Sequence, residues 1–274
     1  MELTNKNIML ECSKSKNENI KNLPENLNFL KSFLENEIPS KFNISILNIK
    51  TFEEIFKENP NQGTFLYWKE MDKRIELLWT TTGLKCKSII KTIIDSINSG
   101  NYLSAIILIR ALFENTAILH YYIWKIISTY NKIKSDENIK KIIRGEVMGT
   151  FISSELEDIL ILYSHGTRIE DLMKGNEKWN QKNILTIIDF LAKNKDWPDA
   201  REVYNILSEF VHPNMPTNLI FGNIAIENEN LSFANFKEEQ SSVIFIDSVS
   251  KAILICSQII PQAIKSLKET KITP

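Results

Sequence analysis

Glycine and proline are scarce, eight of each in 274 residues. A many-stranded sandwich or barrel needs turn residues at short intervals, so this scarcity argues against such folds and points toward helix. Only three cysteines are present, Cys12, Cys86 and Cys256, far apart and odd in number. With no Cys-x-x-Cys pair they suit neither a disulfide framework nor a zinc ribbon, and read as scattered thiols in a reducing compartment. Net charge is −1. Any contact with a polyanion must therefore come from a local patch rather than from overall charge. A glycine-rich phosphate loop, a His-Glu-x-x-His pair and a calcium-binding loop are all missing. The polar opening, MELTNKNIMLECSKSKNEN, lacks the apolar run of a signal peptide, so the expected address is the cytoplasm.

What is present is ordinary globular material, 43% hydrophobic and 24% charged. The expected fold is mainly α: a multi-helix bundle with a long antiparallel helical hairpin and a small β-hairpin insertion near residues 219–236. Residues 1–22, rich in Asn, Lys and Ser, are expected as a flexible arm, followed by a single helical domain over 23–274. Pro24 opens an amphipathic run through Leu27, Leu30, Phe33 and Leu34. Phe42, Ile44 and Ile46 alternate as in a short strand or extended connector. Thr51 and Glu54 form a capping-box pattern for a short helix. A long helix from about Thr64 to Asn98, with Gly83 as a kink point, should fold back on the helix Tyr102–Asn131 through a short turn at Ser99-Gly100-Asn101. Further helices are expected near 137–148, 152–164, 181–195 and 198–212, then a last one over 238–268 with Pro261 inside. Tyr102 to Ile127 is apolar enough to suggest a membrane span. Arg110 and Glu114 near its middle favour a buried core helix instead, and no membrane is expected.

Two helices carry the chemically dense residues. On the first, Leu103, Ile107, Arg110, Glu114, Ala117 and Tyr121 share a stripe. Arg110 and Glu114, at i and i+4, can form a core ion pair. They can equally aim a guanidinium, oriented by Glu114, at a phosphate or carboxylate. On the second, Tyr204, Ser208 and His212 recur every four residues beside a core face of Val203, Ile206, Leu207, Phe210 and Val211, with Arg201 alongside. His212 ends that helix before Pro213, where the macrodipole favours the imidazolium. It can serve as a general acid/base or as a cap on helix carbonyls. Ser208 lacks the elbow and acidic partner of a nucleophile. His120 and His165 stand alone, without metal-ligand spacing, and no metal or cofactor is expected. The tryptophans Trp68, Trp79, Trp124, Trp179 and Trp197 fall mostly at helical spacing and read as core.

Arg110-Ala-Leu-Phe-Glu114 with Tyr121-Tyr122, and Tyr204-Asn-Ile-Leu-Ser208-Glu-Phe-Val-His212-Pro-Asn214, resemble motifs of poorly characterised bacterial helical proteins. Those proteins in turn resemble the HEPN superfamily (higher eukaryote and prokaryote nucleotide-binding). The likeness covers the middle of the chain, from the first long helix to Asn214. It implies a helical bundle, commonly a homodimer, and a metal-independent endoribonuclease of toxin or phage-defence type acting on RNA. His212, Arg110 and Glu114 would be catalytic, and Ser208, Tyr204, Tyr121 and Asn214 would contact substrate. Such enzymes carry an arginine and a histidine within one helix, with four to six residues between them. Here Leu207 and Ser208 stand five and four before His212, so Arg110 of the neighbouring helix would have to take that role. The alternative class is a non-catalytic interaction or nucleotide-sensing protein in which Arg110, Glu114, Ser208 and His212 form a structural network.

Overall fold

Asparagine side chains start several helices of this chain, because an amide oxygen can accept from a free N–H in the first turn. Asn5 caps α1 (Lys6–Lys14), Asn17 caps α2 (Glu18–Lys21) and Asn48 caps α4 (Ile49–Glu58). α3 (Leu23–Glu37) instead carries a proline in its first turn and buries Leu23, Leu27, Leu30 and Leu34 along one stripe. α5 (Pro60–Asn98), α6 (Tyr102–Ser135), α7 (Glu137–Ile143), α8 (Ser154–His165), α9 (Ile184–Ala192), α10 (Ala200–Glu209) and α11 (Glu238–Glu269) are the other helices among the described residues. Two short strands, β1 (Asn223–Glu227) and β2 (Asn230–Ala234), pair antiparallel with Ala225 opposite Ser232. The computed structural model describes residues 2–45, 47–165, 182–211, 223–227, 230–234 and 238–270. The fold is a mainly α, multi-helix bundle.

The chain divides into two compact units, each assembled from separate stretches of sequence. The first comprises 1–38, 84–118 and 184–261. In it α5 and α6 meet at a tight turn where Gly100 adopts φ 73°, a left-handed conformation that costs glycine least. Lys85 Nζ donates to Asn115 Oδ1 at 2.7 Å, so the two helices run antiparallel here, as expected. Its core includes Ile90, Ile94, Ile106, Ile109, Phe113, Ile253 and Ile260. The second unit comprises 39–83, 119–183 and 262–274. Its centre is Trp68, fully buried, stacked on Phe151 at 5.7 Å and donating its indole N–H to the Phe151 carbonyl. Tyr130 meets Trp68 edge-on and donates to Asp72.

Several expectations are corrected. Residues 2–22 are no loose arm. Ile8 and Cys12 are buried, and the Asn5 amide donates to the Ile97 carbonyl at 2.7 Å and to the Tyr102 hydroxyl. Polar composition misled because these asparagines work as caps and anchors rather than as solvated surface. α4 begins two residues ahead of Thr51, since Asn48 accepts from the Lys50 N–H and takes the cap position. Residues 41–45 form no strand. α5 is one helix through Gly83 and starts at Pro60, whose missing N–H is harmless in a first turn. α10 starts at Ala200, after Pro198. Trp68, Trp79 and Trp197 are core, but Trp124 is 55% exposed, and Ile206 also faces outward.

Burial matters most for α6. By length and composition it could cross a membrane, yet half of its most apolar window is buried within the protein. Among the described residues no other helix passes that test.

Candidate functional site

Arg110 and Glu114 lie one turn apart on α6, and Tyr204 and Ser208 one turn apart on α10. What aims α10 at α6 is a set of bonds at its beginning. Arg201 donates to Asp189 of α9 at 3.0 Å, and Asp199 accepts from Lys251 of α11 at 2.7 Å. Just upstream, Trp197 Nε1 donates to Gln258 Oε1 of α11 at 2.9 Å. The exposed bonds stabilise little individually, but together with the buried faces of Val203 and Leu207 they set the orientation of the helix.

That orientation brings Tyr204, only 5% exposed, between the two charged groups of α6. Its hydroxyl accepts from Arg110 Nη2 at 3.2 Å and donates to Glu114 Oε1 at 3.2 Å. The same Nη2 stands 3.2 Å from Glu114 Oε1. The three groups form a closed triangle, and the guanidinium carbon lies 5.5 Å from the Tyr204 ring centroid, a cation–π distance. The side chains of Arg110 and Glu114 keep 21% and 30% of their exposure, so the pair is reachable from solvent. Of the six buried side-chain polar atoms without a hydrogen-bond partner among the described residues, two belong to this set, Arg110 Nε and Ser208 Oγ. Buried polar groups are normally satisfied. A donor left over on Arg110 and a hydroxyl left over on Ser208 therefore mark capacity for a polar ligand or water.

The structure thus joins Arg110, Glu114 and Tyr204, and sets Ser208 one turn beyond Tyr204. His212 and Asn214 lie outside the described residues. Tyr121 belongs to the second unit, where it packs edge-on against Tyr122 at 5.3 Å. The ammonium groups of Lys125 and Lys182 stand 4.8 and 5.5 Å from its ring centroid. Burial pushes the Tyr121 phenol up, but hydrogen bonding and charge from the two lysines outweigh it and hold the pKa below the usual phenol value. Sequence reasoning named Tyr204 as a substrate contact and missed that its hydroxyl ties Arg110 to Glu114. The signal was present in the i, i+4 spacing of Tyr204 and Ser208 beside the core face. The supports Asp189, Lys251 and Gln258 carried no signal, because they come from separate helices. Among the described residues, no cluster of His, Cys, Asp or Glu could hold a metal ion.

No known protein-family model, curated protein or solved structure matches the chain. The chemistry of the site carries the functional reading.

Proposed function

We propose that this chain is a HEPN-like, metal-independent endoribonuclease, a toxin or phage-defence effector that acts on RNA in the cytoplasm as a homodimer. The observation that carries the proposal is the state of Arg110. Its Nη2 is fixed by Glu114 and Tyr204, its side chain is still reached by solvent, and its buried Nε has no partner among the described residues. A guanidinium held in place before substrate arrives is suited to stabilising charge that develops on a phosphoryl group.

In this reading His212, four residues after Ser208 in sequence, is the acid/base. It moves a proton at the 2′-hydroxyl or at the leaving 5′-oxygen. The 2′-oxygen bonds to phosphorus, the bond to the 5′-oxygen breaks, and the products are a 2′,3′-cyclic phosphate and a 5′-hydroxyl. No water or external oxidant enters the balance. Arg110 neutralises the phosphoryl oxygens, Glu114 and Tyr204 are positioning residues, and Ser208 offers its hydroxyl to substrate. Asn214 is assigned as an outer substrate contact.

A second reading has its own support. The triangle of Arg110, Glu114 and Tyr204 is closed by three 3.2 Å contacts, as a non-catalytic network tying α6 to α10 would be. In that reading the chain is an interaction or nucleotide-sensing protein. One experiment separates the two: RNA cleavage in EDTA together with thermal melts, for wild type, His212→Ala and Arg110→Ala. The nuclease reading expects EDTA-resistant cleavage that falls roughly a hundredfold or more in His212→Ala with folding nearly intact. Arg110→Ala should lose similar activity and some stability, because Glu114 is left half-buried without its partner. A wild type that cleaves no RNA, with both variants melting lower, establishes the network reading instead.

A further inference from the structure

α3 and α5 carry a feature outside the Arg110 site. A groove of about 250 Å³ runs between them, walled by Lys31 and Glu35 of α3 and by Leu84, Lys87, Ser88 and Lys91 of α5. All six belong to the first unit. Three ammonium groups face one carboxylate there, and that carboxylate is committed to Lys31 at 3.4 Å. Lys31 is itself mostly buried, with 17% of its side chain exposed, so this wall of the groove is preformed. Lys87 and Lys91 meet no carboxylate among the described residues.

Lys87 and Lys91 stand at i and i+4, a spacing at which like charges weaken a helix, and Asp95, one turn beyond Lys91, forms no ion pair with it and keeps a buried oxygen without a hydrogen-bond partner among the described residues. Lys85, by contrast, turns to the far side of α5 and donates to Asn115. The ammonium groups of Lys87 and Lys91, which form no ion pair among the described residues, therefore line the groove. Lys87 and Lys91 are aligned along the helix axis roughly 6 Å apart, a separation suited to successive anionic groups on a strand. Ser88 adds a hydroxyl donor between them, and Leu84 gives an apolar floor, 37% exposed, for lysine stems or a sugar face.

We propose that this groove binds the phosphate groups of a single-stranded RNA backbone. It extends the RNA-directed reading to a surface outside the Arg110 set, but stands on its own observation. Phosphate oxygens are the shared chemistry of a strand and of free inorganic phosphate, and the in-line placement of Lys87 and Lys91 favours the strand. Backbone contacts of this kind position a substrate without reading its sequence.

The test uses the full chain and a fluorescent 2′-O-methyl oligonucleotide, which cannot be cleaved through its 2′-oxygen, so binding is read separately from any nuclease activity. Affinity is measured by anisotropy across a salt series for wild type, Lys87→Gln/Lys91→Gln, Lys87→Arg/Lys91→Arg and Lys85→Gln. The double glutamine variant should bind about tenfold more weakly, and its salt slope should flatten by about 1.4, at about 0.7 for each lost phosphate contact. The arginine pair should retain binding, and Lys85→Gln should match wild type. Circular dichroism on each variant checks that all are folded. Displacement of the strand by millimolar inorganic phosphate would overturn the strand as ligand and assign the groove to the free anion. An unchanged double variant, an equal loss in Lys85→Gln, or a wild type that does not bind the oligonucleotide would each overturn the proposal.

Discussion

A single hydroxyl decides how the Arg110 set is organised. Without Tyr204 Oη, Arg110 and Glu114 are a local ion pair on one helix, a feature of small energetic weight when partly exposed. With it, the pair becomes a tie between α6 and α10. Tyr204→Phe keeps the ring and its packing while deleting both hydrogen bonds. It should destabilise the protein by about 1–2 kcal/mol, toward the low end for bonds to charged groups because both partners retain solvent contact. Urea melts of wild type and Tyr204→Phe check this. Indistinguishable curves would mean that the hydroxyl contributes nothing to stability. His120 provides a second residue-scale outcome, because burial lowers its pKa. The unfolded chain, with an ordinary histidine near about 6.5, binds more protons than the folded one between the two pKa values. Stability therefore rises with pH across that window. The contribution is complete above about 6.5 and is lost as pH falls toward the folded value. Melts at several pH values should show a smaller acid-side loss for His120→Gln than for wild type. Parallel loss in the two proteins would assign the effect to other groups.

At the scale of elements, spacing was a good guide to where helices run and a poor one to how they end and what they face. α5, α6 and α11 were legible because apolar residues recur at helical spacing over many turns, and such periodicity is hard to produce otherwise. The cap of α4 was not, because Asn48 and Thr51 are both competent caps and only the packed structure chooses. Trp124 reads as core from its helical spacing on α6, where nearly every face is apolar, and Ile206 from its place beside the buried face of α10. A wheel gives the face of a residue but not the presence of a neighbour opposite it. Gly63 was not singled out at all. A Cβ there would clash with the Phe56 ring and stand 2.7 Å from the Phe56 Cα, so the start of α5 lies close against α4. Backbone cannot give way as a flexible side chain can. Gly63→Ala should cost about 1–3 kcal/mol, the usual range for overpacking, despite the better helix propensity of alanine. Thermal denaturation reads the effect directly, and a variant as stable as wild type would show that α4 shifts freely.

At the scale of the whole molecule, the proposed homodimer is the assembly question, since a two-fold pair is the commonest closed oligomer. Light scattering at micromolar concentration should give twice the 31.7 kDa chain mass, with an interface burying more than roughly 1,000 Å² in total. A monomer mass would remove the dimer from the functional proposal. The mainly α class, the long helices and the residue types of the candidate site were determined by sequence alone. They depend on composition and on spacings of three or four residues, which a chain displays without being folded. Which of those residues meet was decided only by tertiary structure. Arg110 and Tyr204 are 94 positions apart and bond because α9 and α11 hold the start of α10 in place. Lys31 and Lys87 line one groove because α3 packs beside α5. The polar N-terminal residues are anchored because Asn5 finds a carbonyl at Ile97. Each of these depends on a distance across the fold, and no local pattern encodes such a distance.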